Sequence, residues 1–337
     1  MKKILQLLAI AAMSFTIASC SDVSLDESEN ALTPLNESVI NGRQRRCASM
    51  EVLAKQMEAD VTLQARMDAI ENQTSEFEKN QKSSRVGATG ILTIPVVVNI
   101  LFSNTKENIS ATQIQTQIDV LNRDFGGTNT DRTKIPKVFG GLFSNMQIAF
   151  KLHSVVRKTT KIREWSIDND NMKILKNGGI AATTPTTKLN IWVCNLGEEY
   201  LGYAQFPGDK AETDGVVINF KCFGTTGTAV APFNKGRTGT HEVGHWLNLH
   251  HIWGDHDSDI KDCNDTDFVS DTPTQGMANG GCPKFPSPSC GNKNIGDMFM
   301  NYMDYVDDAC MVMFTAGQKT RTRALFAPKG ARASFNP

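Results

Sequence analysis

The stretch HEVGHWLNLHH, residues 241–251, decides which fold and chemistry this chain can have. His241, Glu242 and His245 satisfy the pattern H-E-x-x-H, and the two histidines lie one turn apart on the same face of a helix. Both imidazoles can therefore bind one zinc ion while the Glu242 carboxylate lies beside it. Three protein ligands and one open position are typical of a catalytic zinc site rather than a closed structural one.

The third ligand is expected ten residues after His241. His251 has the spacing of the longer pattern H-E-x-x-H-x-x-G-x-x-H, in which the chain leaves the helix at a glycine and turns the last histidine back to the metal. Here Asn248 replaces that glycine, and Asn is the non-glycine residue that best tolerates the left-handed backbone of such a turn. His250 is the alternative ligand, but it lies one residue out of register, so the pattern favours His251.

A methionine further along the chain extends this pattern. It lies in NYMDY, residues 301–305. A methionine is most often core filling, but after an elongated zinc motif Met303 is a candidate for a methionine-bearing turn beneath the metal.

The composition limits the class of protein. The 337 residues carry 35 Lys and Arg against 36 Asp and Glu, a net charge of −1, and 40% of them are hydrophobic. This balance argues against the basic face of a nucleic-acid binder and against wholesale disorder.

The first twenty residues have the features of an export signal. Lys2 and Lys3 precede an apolar segment, residues 4–17, that is too short to span a bilayer. The following IASC resembles the processing site of a bacterial lipoprotein, with Cys20 as the acylated first residue of the mature protein. The alternative is an ordinary secretory signal cleaved near Ala18. In both cases the protein is exported and disulfides are permitted.

Three regions are expected along the chain. Residues 1–19 are the signal peptide, residues 20–84 form a polar tether and a helical prosegment, and residues 85–337 form the catalytic domain. Within the second region, apolar residues at helical spacing over 49–79 predict one or two amphipathic helices.

The third region has the pattern of a mixed sheet. The apolar run ILTIPVVVNILF, residues 91–102, is typical of a buried strand. Ser110 and Gln113 form a capping-box signature that predicts the start of a helix. Further strands are expected over residues 146–152, 189–193, 201–206 and 215–220. The last third is rich in turn residues and is expected to be irregular, ending in a helix over 315–326.

HEVGHWLNLHH and NYMDYVDDAC together resemble the pappalysin family of metzincin metallopeptidases, especially its bacterial, cytophagalysin-like members. The similarity runs from about residue 91 to residue 326 and includes LNIWVCNL, GYAQFPG, DGVVINF and SDTP. It implies an α+β catalytic domain with an N-terminal five-stranded mixed sheet and the zinc helix. Below the sheet it implies a cleft and an irregular C-terminal subdomain that carries the Met-turn.

The resemblance also implies roles for single residues. The zinc ligands would be His241, His245 and His251. Glu242 would take a proton from the attacking water and pass it to the leaving amine. Tyr305 would stabilise the tetrahedral intermediate, and the strand 201–206 would form the upper rim of the cleft and bind substrate by β-addition.

The segment RRCASME, residues 45–51, resembles the cysteine switch of family prosegments. The Cys47 thiolate would be a fourth zinc ligand that excludes the catalytic water; the alternative is a disulfide. Activation would require cleavage of the polar linker, with Ser84–Arg85 as the candidate bond. Some family members cleave before Arg or Lys, which would permit self-processing, but no acidic pocket residue stands out from the sequence.

Four cysteines fall in the irregular third, where cross-links stabilise a small core. Three pairings are possible, and the family spacing favours Cys263 with Cys290 and Cys282 with Cys310. A structural zinc site is the alternative, but tight C-x-x-C pairs are missing. Cys194 and Cys222 each follow a predicted strand and either pair or stay buried as thiols.

Oxygen ligands lie in the same region, at Asp265, Asp267, Asp271 and Thr272. Family members bind calcium there, so a structural calcium ion at Asp267, Asp271 and Thr272 is an expectation. The alternative is a solvated acidic loop.

We therefore expect an exported zinc endopeptidase, made as a cysteine-switch zymogen, that hydrolyses extracellular proteins or peptides as a monomer. It would be an outer-membrane or cell-surface lipoprotein, and its mature catalytic domain could be released outside the cell. One alternative is a surface adhesion module on a metalloprotease scaffold. Another is a zinc hydrolase of small substrates such as an N-formyl group, which the long prosegment and extended cleft strand disfavour.

Overall fold

A five-stranded mixed sheet is the centre of the part of the chain that the computed structural model describes, residues 45–83 and 90–335. The strands are β1 Leu92–Phe102, β2 Ile148–Thr159, β3 Leu189–Cys194, β4 Gly202–Ala204 and β5 Val216–Asn219. Their order across the sheet is β2-β1-β3-β5-β4. Every neighbouring pair is parallel except β4 and β5, which are antiparallel. Strand β4 is therefore an edge strand of the sheet.

The described residues also form five α-helices. They are α1 Ser49–Ala59, α2 Leu63–Ser83, α3 Ala111–Phe125, α4 Arg237–Trp246 and α5 Ala316–Ala324. The hydroxyl of Ser110 accepts a hydrogen bond from the amide of Gln113 and so caps α3, as its sequence signature predicts. A complete capping box of Thr315 and Gln318 begins α5. No helix among the described residues is long and apolar enough to cross a membrane.

The central strand β3 is buried on both faces of the sheet, since successive residues of a strand point to opposite sides and each side of β3 packs in a core. On β3, Ile191 and Val193 belong to the core that includes α3 and α4. Trp192 and Cys194 belong to a second core, to which Ala48 of the prosegment also contributes. All six residues of β3 are buried, and all are apolar except Asn190, whose amide is hydrogen-bonded to the backbone of Thr183.

The expected α+β fold with a five-stranded mixed sheet is confirmed. Two strand lengths differ from the prediction. Strand β2 continues to Thr159. Its second half is a largely exposed edge with polar residues, so the sequence does not show an apolar strand pattern there. Strand β4 has only three residues in place of the six expected over 201–206. The prosegment has two helices, and Asp60 accepts a hydrogen bond from the amide of Thr62 where they meet.

Between α4 and α5 the described chain consists of turns, bends and single bridges. Two disulfides cross-link it: Cys263–Cys290 and Cys282–Cys310. These are the pairs that the family spacing implies. Cys194 is a buried free thiol and so is not joined to Cys222.

Several predictions lie outside the described residues. These are the signal peptide 1–19, the acylated Cys20 and the candidate activation bond between Ser84 and Arg85. They stay predictions, as do the domain boundaries drawn at residues 20 and 85.

Candidate active site

Helix α4 places two imidazoles side by side in the interior. His241 and His245 are one turn apart, both fully buried, and their Nε2 atoms are 3.1 Å from each other. Every residue of α4 is buried, so the helix packs on all its sides and its position in the core is fixed.

The chain leaves α4 through the left-handed turn that the sequence predicts at Asn248. The φ angle of Asn248 is 67°. The amide of Leu249 then donates to the carbonyl of Gly244 at 3.0 Å, which ends the helix. This turn brings the Nε2 atom of His251 to 3.1 Å from that of His245.

His250 points away from this cluster. Its Nδ1 lies 2.6 Å from the Asp255 carboxylate. Its ring contacts the rings of Phe206 and Phe268, with centroid distances of 5.2 and 5.0 Å. His251, and not His250, therefore joins the two histidines of α4.

For the two rings of α4, the backbone fixes which nitrogen faces the centre. Nδ1 of His241 lies 2.7 Å from the carbonyl oxygen of Tyr302, and Nδ1 of His245 lies 2.8 Å from that of Leu249. A ring that donates from Nδ1 presents the Nε2 lone pair, which is what a metal ion requires. Burial lowers the pKa of all three ligand histidines, that of His245 to about 4, so their rings are neutral.

Cys47 of the prosegment completes the cluster. Its sulfur and one nitrogen each of His241, His245 and His251 all lie within 4.8 Å of one another. Three imidazoles and a thiolate match the tetrahedral donor set of zinc. Burial and the nearby Glu242 carboxylate raise the pKa of the Cys47 thiol, so it needs a cation beside it to ionise. These residues therefore fit a zinc ion, and the disulfide alternative for Cys47 is wrong.

The prosegment also holds the expected general base. Oε2 of Glu242 accepts hydrogen bonds from the Cys47 thiol and the Ser49 hydroxyl, both at 3.2 Å. Burial raises the pKa of Glu242 to about 8. In this closed state the Glu242 carboxylate is therefore buried against the prosegment.

Strand β4 is paired with the prosegment at its outer edge. The amide of Leu201 donates to the carbonyl of Arg46, and the amide of Ala48 donates to that of Gly202, both at 3.0 Å. Cys47 and Gly202 form a parallel bridge. The backbone groups that would hold a substrate by β-addition are thus occupied by the chain's own prosegment.

Met303 and Tyr305 both lie beside the histidine cluster. Met303 is fully buried under α4, so close that a Cβ atom at Gly244 would lie 2.4 Å from its sulfur. The Tyr305 ring is 5.0 Å from that of His251, and its hydroxyl donates to the carbonyl of Cys47 at 3.2 Å. Tyr305 therefore contacts the carbonyl of the residue whose sulfur belongs to the metal cluster.

A closed pocket beside the cluster was not foreseen from the sequence. The Arg45 guanidinium forms an ion pair with Asp308 and donates to Thr238 Oγ1 at 3.1 Å. It also donates to the carbonyl of Val306 at 3.2 Å and lies 5.0 Å from the centre of the Phe233 ring. Arg45 is 1% exposed and Asp308 is 0% exposed.

The signal for this pocket is present in the sequence but ambiguous. NYMDYVDDAC carries two adjacent aspartates, and only the folded chain shows which one faces the cleft. Asp308 also accepts hydrogen bonds from the amides of Lys235 and Arg237 at the start of α4, which holds its carboxylate in place.

The residues expected to bind calcium have separate hydrogen-bond partners. Asp267 accepts from the amide of Val269 and the hydroxyl of Thr272. Asp271 accepts from the amide of Gly317, at the start of α5. Among the described residues, the metal-ligand group that the structure assembles is the Cys47 and histidine cluster.

Comparisons with known proteins agree with this site. Residues 184–327 match the peptidase M43 family, described as pregnancy-associated plasma protein-A. An extracellular metalloprotease of Arthroderma benhamiae is 30% identical over 269 residues, which cover 77% of this chain and 79% of that one. One of Verticillium alfalfae is 32% identical over 246 residues, which cover 68% and 77%.

Two solved structures from Tannerella forsythia resemble the whole arrangement. A promirolysin mutant superposes with a TM-score of 0.77 and 44% identity, covering 87% of this chain and 97% of that one. Mature mirolysin in complex with a cleaved peptide has a TM-score of 0.71 and 47% identity, covering 74% and 96%. The proenzyme matches a larger share of this chain than the mature enzyme does.

Proposed function

Since the chain belongs to the pappalysin family, peptidase M43, and is a secreted zinc metalloendopeptidase made as a zymogen, we propose that its mature form cleaves before Arg or Lys. The ion pair between Arg45 and Asp308 carries this proposal. In the zymogen the prosegment places an arginine in a closed pocket beside the metal cluster. Once the prosegment leaves, the same carboxylate would bind the basic side chain that follows the scissile bond.

The physical argument is the cost of an unpaired buried charge. Asp308 is fully buried, so an empty pocket leaves its carboxylate without the guanidinium that neutralises it. A basic substrate side chain restores that pair, while a neutral one leaves the carboxylate unpaired. The pocket therefore discriminates by charge, and its Phe233 ring lies where it can pack against the cation.

The chain's own residues have clear tasks in this proposal. When bound, zinc supplies a Lewis acid that polarises the scissile carbonyl and acidifies a water molecule. The freed Glu242 carboxylate accepts the proton of the attacking water and delivers it to the leaving amine. The Tyr305 hydroxyl, released from the Cys47 carbonyl, donates to the oxygen of the tetrahedral intermediate.

A cleavage-site profile on a proteome-derived peptide mixture tests the proposal. We expect Arg or Lys immediately after most cleaved bonds. Asp308→Asn should lower kcat/KM for such bonds by about a hundredfold, since a buried cation loses its partner. Asp307→Asn is the matched control, because Asp307 is the adjacent, partly exposed carboxylate. A profile without basic residues at this position contradicts the proposal.

We also propose that the zymogen matures by cleavage at Ser84–Arg85. Arg85 is the kind of residue that the Asp308 pocket would accept, which supports self-processing. N-terminal sequencing of the mature enzyme tests this bond, and substitution of Arg85 by Gln should slow maturation. A mature N-terminus elsewhere would refute the assignment.

The lipid anchor remains a proposal from the signal sequence. Cys20 would carry the lipid and hold the zymogen at the outer membrane or cell surface until the monomeric catalytic domain is released. Mass spectrometry of the N-terminal peptide and membrane fractionation of Cys20→Ser test it. An unmodified Cys20 in the membrane-bound protein would rule it out.

Calcium binding is proposed from the oxygen-rich segment around Asp267, Asp271 and Thr272. Asp267 is buried, and burial raises its pKa to about 6, so a bound cation would favour its ionised form. Calcium should then raise the melting temperature of the zymogen above its value in a calcium-selective chelator. Equal melting temperatures would remove calcium from the proposal.

A further inference from the structure

Arg321, on helix α5, makes a two-pronged ion pair with the prosegment. Its Nη1 and Nη2 donate to Oε1 and Oε2 of Glu71 on α2, at 2.8 and 2.6 Å. The Nε atom donates to the carbonyl of Asn248 at 2.7 Å, and the guanidinium lies 5.3 Å from the centre of the Phe268 ring. The last two contacts come from the catalytic domain, so they orient the guanidinium whether or not Glu71 is present.

A row of aromatic rings connects Arg321 to the substrate strand. Phe206 follows β4 and contacts the ring of His250, which contacts the ring of Phe268 under Arg321. The prosegment covers both ends of this row, because Leu53 of α1 packs on Phe206 and Glu71 of α2 pairs with Arg321. Phe268, between these ends, is already exposed in the zymogen. Removal of the prosegment therefore leaves the row accessible along its length from β4 to Arg321.

Arg321 and the Asp308 pocket lie on opposite sides of the metal cluster along β4. Cys47 is bridged to Gly202, beside the general base. The backbone from Cys47 to Arg45 runs past Leu201, toward the start of β4. Phe206 lies beyond the other end of the strand. A substrate that fills the Asp308 pocket with the residue after the scissile bond therefore extends its preceding residues toward Arg321.

In the mature enzyme, the Arg321 guanidinium would lack the Glu71 carboxylate that it binds in the zymogen. A guanidinium stays charged at all relevant pH values, and its flat geometry suits a bidentate carboxylate. Asp267 is a catalytic-domain acid close enough to Arg321 for the guanidinium to favour its ionised form. Its oxygens already accept hydrogen bonds from the amide of Val269 and the hydroxyl of Thr272.

We infer that Arg321 forms a second charge-selective subsite, which binds a Glu or Asp side chain two to five residues before the scissile bond. This inference rests on the proposed cleavage before Arg or Lys, because that assignment sets the direction of the substrate. In the zymogen, Arg45 and Glu71 fill both subsites with the charges that each one selects. Preferred substrates then have an acidic residue upstream and a basic residue directly after the cleaved bond.

Matched peptides test this subsite in the mature enzyme. Each contains one bond before Arg, and each pair differs only by Glu or Gln at one of the second to fifth positions upstream. We expect Glu to raise kcat/KM about tenfold over Gln at one of these positions. In Arg321→Gln the ratio of Glu to Gln peptides should fall to about one. Because the two kcat/KM values of each ratio are measured with the same enzyme variant, a general loss of activity in that variant does not change the ratio.

Arg323→Gln is the control variant, since Arg323 lies on the same helix and donates to the carbonyl of Gln147; it should keep the wild-type ratio. If Arg321→Gln does not fold, Arg321→Lys should keep only part of the ratio, and Lys in place of Glu in the peptide should slow the wild-type enzyme. Equal rates for every Glu and Gln pair, or an unchanged ratio in the Arg321 variants, overturn the inference. Cleavage of the Gln peptides before Arg reports on the proposed function separately.

Discussion

At the scale of the residue, the metal cluster depends on two positions that bind no metal. Gly244 lies between the two histidines of α4 and allows Met303 to pack directly against the helix. Asn248 adopts the left-handed conformation that returns His251 to the cluster. The sequence pattern indicates Asn248 but leaves residue 244 unspecified, and only the contact with Met303 explains why that residue is glycine.

Gly244→Ala should disturb this packing, because the added Cβ would lie 2.4 Å from the sulfur of a fully buried methionine. We expect a loss of about 1–3 kcal/mol in the free energy of unfolding and weaker zinc retention. Chemical denaturation and metal analysis measure both. Gly141→Ala is the control, since a Cβ there meets no atom within 4 Å. Two variants of equal stability would show that Met303 does not constrain α4.

Glu242→Ala should remove cleavage without removing the metal. The side chain contacts Cys47 and Ser49 but is not one of the four donors, so zinc content should stay at the wild-type level. After cleavage of the linker by an added protease, we expect activity to fall about a thousandfold, the range for loss of a general base. Substantial residual proteolysis in a zinc-loaded variant would refute the role of Glu242.

At the scale of the element, the prosegment depends on a few specific contacts. Only Ser49, Val52 and Leu53 of α1 are buried, so the helix has little apolar surface against the domain. The strong contacts are the Arg45 and Asp308 pair, the Cys47 sulfur and the Glu71 and Arg321 pair. These contacts lie along the chain on both sides of α1. Latency is therefore distributed over separate sites.

Cys47→Ala should weaken latency without abolishing it. The variant loses the fourth donor of the metal cluster but keeps both ion pairs of the prosegment. We expect faster conversion to the mature form, followed over time on gels. The same change in a Glu242→Ala background separates self-processing from cleavage by other proteases. A Cys47→Ala zymogen that matures at the wild-type rate would contradict the cysteine switch.

At the scale of the whole molecule, the metal cluster joins distant parts of the chain. Its donors come from the prosegment, from α4 and from the turn after α4. The Nδ1 atom of His241 binds the carbonyl of Tyr302, which belongs to the irregular segment before α5. A metal ion at this position therefore stabilises the association of the prosegment with both parts of the catalytic domain.

Removal of zinc should lower the melting temperature of the zymogen. An ion that binds the folded state stabilises it by mass action, and a loss of a few kcal/mol corresponds to roughly 10 °C for a chain of this size. Scanning fluorimetry with and without a chelator measures the shift, and added zinc should restore the original value. The shift should be smaller for Cys47→Ala, which has one donor fewer. If the zinc-free zymogen has the same melting temperature as the zinc-bound zymogen, the cluster does not stabilise the zymogen.

The sequence by itself determined the local part of this protein. The one-turn spacing of His241 and His245, the tolerance of Asn248 for its turn and the capping residues of α3 follow from backbone geometry within a few residues. Such features have the same meaning in any fold, so they predicted the ligands and most of the helix and strand positions. The length of β2 escaped this reasoning, because the polar residues of an exposed edge do not distinguish a strand from a loop.

Only the tertiary structure decided which charges meet across the cleft. Arg45 and Asp308 are 263 residues apart, and Glu71 and Arg321 are 250 residues apart. No periodicity in the sequence connects positions so far apart. The sequence also does not distinguish Asp307 from its neighbour Asp308. The folded chain buries Asp308 against the start of α4 and leaves Asp307 partly exposed. Burial makes the unpaired charge costly, and that cost is the physical basis of the selectivity proposed for the mature enzyme.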